Sequence, residues 1–333
     1  MAFKSYLVTG GTGFLGSALV RRLVQAGHRV RVFDNNSRGN AERLKDLEGE
    51  FEFFEGDIRD LDAVERASKN LDGICHLAFI NGTEFFYTKP ALVLDVGVKG
   101  MVNVIDACLK NNIGELILAS SSEVYQYPRL IPTDETVAVS IPDPLNPRYS
   151  YAAGKIISEI MAVNYGRTNF ERVVIFRPHN VYGPDMGWEH VIPQFVLRMR
   201  ELAKTDDNPV RFQIHGTGKE TRSFVFIDDF IDGLMLLVEG GQHLNIYHIG
   251  TDEEIAIEEL AIKVGHYFEK DLIIVPGEAA SGGTPRRCPD ISKMAKLGYS
   301  PKTYLREGLP IAARWYGENA HRNPTSGSKE RTV

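Results

Sequence analysis

Gly10, Gly13 and Gly16 recur at every third position of the segment GGTGFLG (10–16). Before it lies a short apolar run, residues 6–8 (YLV). After it comes a stretch from Phe14 to Gln25 whose apolar residues keep helical spacing and which gives out near Gly27. A strand that passes through glycines directly into a helix opens a parallel unit, because a parallel neighbour is reached only by a crossover. The alternation then continues. Apolar runs at 30–33 (VRVF), 51–54 (FEFF), 73–77 (GICHL), 116–118 (LIL) and 173–176 (VVIF) read as strands. Helical patterns occupy about 91–111 and the segment carrying Tyr151. Strands alternating with helices predict an α/β chain whose parallel sheet is covered on both faces.

Such a sheet collects ligands at the carboxyl ends of its strands. Gly10, Gly13 and Gly16 let the backbone approach a pyrophosphate, and the helix opening at Phe14 and Leu15 supplies free N–H groups to it. The spacing is GxxGxxG rather than GxGxxG, a weak pattern by itself. Asp34 ends the second strand at the distance where an acid accepts both ribose hydroxyls and repels a 2′-phosphate. NAD is therefore favoured over NADP, with Arg38 as the contrary sign. Asp57, in Gly56-Asp57-Ile58, follows the third strand at the adenine end. Leu77 and Ala78 close the fourth, where small residues let a cofactor lie against the backbone. The predicted fold is a Rossmann-type doubly wound sheet over residues 1–178.

Beyond Pro178 the rhythm loosens and prolines and glycines become frequent. A smaller α+β substrate-binding cap is expected over 179–319, with some segments returning to the first domain. The polar stretch 320–333 has no hydrophobic periodicity and is expected to be a disordered tail.

Tyr151 and Lys155, in YAAGK, lie one helical turn apart on one face. An ammonium near a phenol favours the phenolate, so the pair reads as an acid–base centre with its tyrosine pKa lowered. Alone, such a pair is more often two surface residues. Here it follows SSSEVY (120–125), at the end of a buried strand.

Bulk properties restrict the partners. The 333 residues carry a net charge of −6, which argues against nucleic acid and anionic membranes. Cys75, Cys108 and Cys288 are too widely spaced for a zinc site or a disulfide framework. No metal is expected. The opening MAFKS lacks signal-peptide architecture, and no apolar run approaches the ~20 residues of a membrane span. A cytoplasmic protein is expected.

Taken in order, GGTGFLG, Asp34, Asp57, Leu77-Ala78, SSSEVY, YAAGK and RPHNVYGP (177–184) resemble the extended short-chain dehydrogenases/reductases of the nucleotide-sugar epimerase/dehydratase type. The resemblance runs from about residue 4 to 316. It implies a tightly held, recycled NAD and a nucleotide-diphosphate sugar oxidised at C4. By position, Tyr151 is the base, Lys155 holds the nicotinamide ribose and Ser121 bonds the C4 oxygen. Glu123 is the C5 base of dehydratases, where simple 4-epimerases carry a small side chain. Ser122 stands against the substrate. Asn180, Arg222 and Arg287 approach the diphosphate, and Asp290 the nucleoside ribose. The resemblance thus leans to dehydration. A UDP-glucose 4-epimerase-like reaction and a decarboxylase are the alternatives, and a non-catalytic NAD sensor or scaffold is a different class of reading. It also implies a homodimer through the helix at 91–111 and the helix carrying Tyr151. Three departures stand out: Gln126 and Gly97 where the family carries glycine and asparagine, and Gly154 inside a helix, where glycine costs about 1 kcal/mol against alanine.

Overall fold

The computed structural model describes residues 3–279 and 281–323. Its first half runs β1 (Ser5–Thr9), α1 (Phe14–Gln25), β2 (Arg29–Asp34), β3 (Glu52–Glu55), α2 (Leu61–Ser68), β4 (Gly73–His76), α3 (Thr83–Thr88), α4 (Pro90–Leu94), α5 (Gly100–Asn111), β5 (Glu115–Ala119), α6 (Ser150–Asn169) and β6 (Arg172–Pro178). The second half runs β7 (Val181–Tyr182), α7 (Val191–Leu202), β8 (Val210–Gln213), β9 (Thr221–Ser223), β10 (Val225–Phe226), α8 (Ile227–Gly240) and β11 (Asn245–Ile249). It ends with β12 (Glu254–Ala256), α9 (Ile257–Tyr267), β13 (Leu272–Val275), β14 (Arg286–Arg287), α10 (Ser292–Ala295) and α11 (Leu305–Glu318).

Seven strands form one sheet in the order β11-β6-β5-β4-β1-β2-β3, and every pairing in it is parallel. The seventh strand, β11, comes from beyond residue 178 and pairs with β6. Successive side chains of a strand face opposite ways, so the sheet separates two cores. Tyr6, Val8, Ile117, Val174 and Phe176 pack on one side, together with α1, α8 and the second half of the chain. Leu7, Leu116, Leu118, Val173 and Ile175 pack on the other, against α2, α5 and α6. Both faces are dry, which is why these strands are continuous apolar runs rather than alternating ones.

The helix expected at 91–111 is not uniform. Between α4 and α5 the backbone widens into a π-turn over Asp95–Lys99, centred on Gly97. A further short helix, α3, was not visible in the sequence pattern. At the other end, Ala320–Arg322 forms one 3₁₀ turn where a structureless tail was expected, and residues 324–333 lie outside the described residues. No helix among the described residues is long and apolar enough to cross a membrane.

Candidate active site

A cleft of about 760 Å³ runs along the carboxyl ends of the strands, within the usual range for small-molecule sites. Ten of the residues expected to hold a dinucleotide line it: Gly10, Gly13, Phe14, Leu15, Gly16, Asp34, Asp57, Ile58, Leu77 and Ala78. The cradle depends on bare backbone. Gly10 has φ +72°, and a Cβ there would sit 2.8 Å from the Ala78 nitrogen. A Cβ on Gly16 would sit 2.0 Å from the Gly10 carbonyl oxygen. α1 begins with Gly13 as its cap, no side chain bonds its first N–H groups, and no acid stands in its first turn. That end is open to an anion. These residues fit a dinucleotide, with the pyrophosphate on the α1 terminus.

Asp34 is fixed at the end of β2 by backbone N–H groups. Its Oδ2 accepts the Thr12 N–H at 3.0 Å and its Oδ1 accepts the Asn36 N–H at 2.9 Å. Arg38, the sign for a 2′-phosphate, is committed elsewhere. It pairs with Glu189 and lies 4.6 Å over the Phe85 ring. Asp57 is bridged by Arg59 at 2.7 Å, which holds its carboxyl below the usual range, and it also accepts from Asn35 at 3.0 Å.

Ser121, Tyr151 and Lys155 line the cleft together, with Ser121 hydrogen-bonded to Tyr151 and Lys155 Nζ 5.7 Å from the Tyr151 ring centre. Asn146 caps the turn before α6 by accepting the Arg148 N–H at 3.0 Å, with Pro147 at the first position, and α6 then carries Tyr151 and Lys155 inward. Lys155 Nζ donates to the Ala119 carbonyl at 2.7 Å. The expected lowering of the phenol by the ammonium is not what the surroundings produce. Burial raises the Tyr151 pKa strongly, the Ser121 hydroxyl bond lowers it in part, and Glu123 raises it again. Burial also pulls Lys155 down to about 7, against the pull of Glu159. Around the Tyr151 ring the burying wall is Phe79 and Phe86. Phe86 stacks on the Tyr151 ring at 4.8 Å and Phe79 meets it edge-on at 5.1 Å.

Glu123 lines the cleft among three arginines. Arg287 Nη1 donates to its Oε1 at 2.9 Å, and Arg148 Nη2 lies 3.6 Å from its Oε2. Burial disfavours the charge, but Arg287, Arg148 and Arg222 outweigh it and hold the carboxyl at about 2. Burial, with Arg287 beside it, brings even the Arg222 guanidinium down to about 10. A carboxylate held so low is a weak base, which counts against the C5 role expected of it.

Ser122, Asn180, Arg222 and Arg287 also line the cleft. Asn180 adopts φ +38° and donates to the Ser223 carbonyl at 2.9 Å. Asp290 does not line the cleft. Its Oδ1 accepts the Ser292 N–H at 2.7 Å, a local turn contact at the start of α10. Trp188 packs on Tyr316 at 5.0 Å and Trp315 at 5.8 Å, so it anchors its loop. Gln126 takes φ +53°, the region that favours glycine, and its amide donates to the Glu123 carbonyl at 2.6 Å. Sequence reasoning missed Arg148, Phe79 and Phe86. Only Arg148 left a signal, a cation three residues before Tyr151.

Comparison with known proteins agrees with this geometry. Residues 6–250 match the model of the NAD dependent epimerase/dehydratase family. The chain belongs to that family. UDP-glucuronic acid decarboxylase 6 of Arabidopsis thaliana is 34% identical over 92% of this chain and 86% of its own. The dTDP-glucose 4,6-dehydratase of Streptomyces venezuelae, solved with NAD bound, superposes with TM-score 0.85 at 29% identity, covering 96% and 99% of the two chains. The UDP-glucose 4-epimerase of Thermotoga maritima, solved with UDP-glucose, gives TM-score 0.83 at 26% identity, covering 95% and 99%. The family is thus one of NAD-dependent enzymes that modify nucleotide sugars, and its members differ in the reaction that follows a shared fold.

Proposed function

We propose that this enzyme decarboxylates a nucleoside-diphosphate uronic acid through a 4-keto intermediate, holding NAD tightly and recycling it. The observation that carries the reading is the clamping of Glu123 by Arg287 and Arg148. A 4,6-dehydratase needs a base to remove the C5 proton, and a carboxylate held near 2 serves poorly. A decarboxylase needs none. Tyr151 takes the proton of the C4 hydroxyl and Ser121, which hydrogen-bonds the phenol, holds that oxygen; NAD, held by the glycine cradle and Lys155, would supply the hydride acceptor for C4. The C6 carboxylate is then β to a ketone. The C5–C6 bond breaks, carbon dioxide leaves, and the electron pair passes to C5 and the C4 oxygen. C5 takes up a proton from water, and Tyr151 gives its proton back to the C4 oxygen as C4 is reduced again. Three guanidinium groups against one carboxylate leave the cluster positive, which suits a diphosphate plus a carboxylate. The 34% identical decarboxylase supports the same choice.

The test is turnover of UDP-glucuronic acid and other uronic and neutral nucleotide sugars, read by mass spectrometry. Loss of carbon dioxide is expected. Loss of water would replace the proposal with dehydration, and an unchanged mass with a converted sugar would replace it with epimerisation. Tyr151→Phe is expected to lose activity by about 10²–10⁴.

The same reading includes a homodimer and a reducing, cytoplasmic setting. Val102 and Leu109 on α5, and Ile157, Ile160 and Tyr165 on α6, are apolar and exposed, and Cys75, Cys108 and Cys288 are buried and free. Ile160→Glu is expected to give a monomer in sedimentation; an unchanged dimer, or a wild-type monomer, would remove this interface.

A further inference from the structure

Gly97 and Gly154 are unrelated in sequence, yet both give way to the same side chain. A Cβ on Gly97 would lie 2.2 Å from Phe79 Cζ, and one on Gly154 would lie 2.9 Å from it. Real Cβ atoms do not approach that closely, so each glycine is room for one ring. Gly97 sits in the π-turn between α4 and α5, and Gly154 lies between Tyr151 and Lys155 on α6. The ring they admit touches both members of the acid–base pair. Its face lies 4.0 Å from Lys155 Nζ, and it meets the Tyr151 ring edge-on at 5.1 Å. Phe79 is half-buried and lines the cleft.

We propose that Phe79 is a positioning residue. Its ring, admitted by Gly97 and Gly154, seats the Lys155 ammonium over its face and braces the Tyr151 ring, fixing their spacing for proton transfer. An ammonium over an aromatic face is favoured, more so where water is excluded. The groups facing Lys155 are few: the Ala119 carbonyl on β5, Glu159 one turn along α6, Tyr151 itself, and His76 at the end of β4. Burial, then Lys155, pushes His76 down to about 3, so it carries no charge at neutral pH. With Glu159 as its one charged partner among the described residues, the Phe79 face is a substantial share of what holds the cation.

The inference rests on Tyr151 and Lys155 being the proton-transfer pair. Phe79→Leu in the NAD-loaded enzyme keeps most of the apolar bulk and removes the ring face. Its kcat is expected to fall about tenfold, with KM for the nucleotide sugar held. Without the ring, Lys155 loses its proton more easily, so the basic limb of the kcat profile moves to lower pH. Gly154→Ala pushes a methyl against the ring and is expected to give a similar loss. In Phe79→Leu that methyl meets no ring, so the double variant is expected to be no worse than Phe79→Leu alone. Melting temperatures of the NAD-loaded variants confirm folding. A Phe79→Leu enzyme with wild-type kcat and pH profile overturns the proposal, as does strict additivity of the two substitutions. If Tyr151→Phe keeps its rate, the underlying assignment of the base has failed instead.

Discussion

Two glutamates on neighbouring parts of the fold, Glu159 buried and Glu123 half-buried, face arginines, and they do so differently. Glu159, on α6, is bonded by a single guanidinium, with the Lys155 ammonium acting on it from one turn away. Arg177 reaches it through two bonds, Nε to Oε1 at 2.8 Å and Nη2 to Oε2 at 2.6 Å, and Ser120 donates to it as well. Arg177 is further bonded to Tyr125, whose hydroxyl lies 2.6 Å from His248 Nε2. The side chains are 3% and 7% exposed, and neither lines the cleft. Glu123 is hydrogen-bonded by Arg287 and ion-paired with Arg148, with Arg222 acting on it as well. It lines the cleft. A balanced, enclosed pair ties β6 to α6. A cluster with cations in excess, open to a cleft, is arranged for an anion that is not part of the chain. Charge balance separates the two, where residue type does not.

Breaking the balanced pair should cost the most. Glu159→Ala leaves Arg177 charged in a dry site and is expected to destabilise the fold by about 3–5 kcal/mol, read by urea denaturation. A loss under ~1 kcal/mol would mean that water reaches Arg177. Arg287→Met should do the opposite. Glu123 keeps Arg148, so stability should move little. The kcat/KM for the nucleotide sugar should fall about 100-fold as a charged contact to the substrate is lost. If stability falls and kcat/KM does not, the open cluster is structural and the contrast collapses. Arg148→Leu, whose contact with Glu123 is longer, should cost about tenfold in kcat/KM.

The difference also accounts for what the sequence disclosed. Gly10, Gly16, Asp34, Tyr151 and Lys155 act through local spacing, in a turn, a strand end or one helical turn, and local spacing is legible. The Glu123–Arg287 pair joins residues 164 positions apart. No periodicity announces it, and Glu123 consequently read as a free base. Gly97 and Gly154 stood out as departures, but their cause is Phe79, brought between them by tertiary packing. The π-turn was hidden because one added residue barely disturbs an apolar helical pattern. Asp290 illustrates a residue that spacing leaves open. An aspartate after a proline reads alike whether it meets a ribose or caps its own backbone.

The smallest effect concerns pH. The Glu123 carboxyl falls from an ordinary value near 4.5 to about 2 in the folded chain. A depressed carboxyl contributes stability that is fully present above the unfolded value and lost as pH falls through the folded one. Glu123 thus supports the fold above about pH 4.5 and withdraws that support on the way to about pH 2. Asp57 and Glu52, bridged by arginines, are shifted the same way, so the whole-protein slope cannot be assigned to one group. The difference from Glu123→Gln isolates it. That variant lacks the ionisation, so its melting temperature should fall less steeply between about pH 4.5 and 2.5 than that of the wild type. Parallel curves would mean that the arginines do not hold Glu123 ionised. It would then titrate in the ordinary carboxylate range, and an acid–base role at C5 would again be open to it.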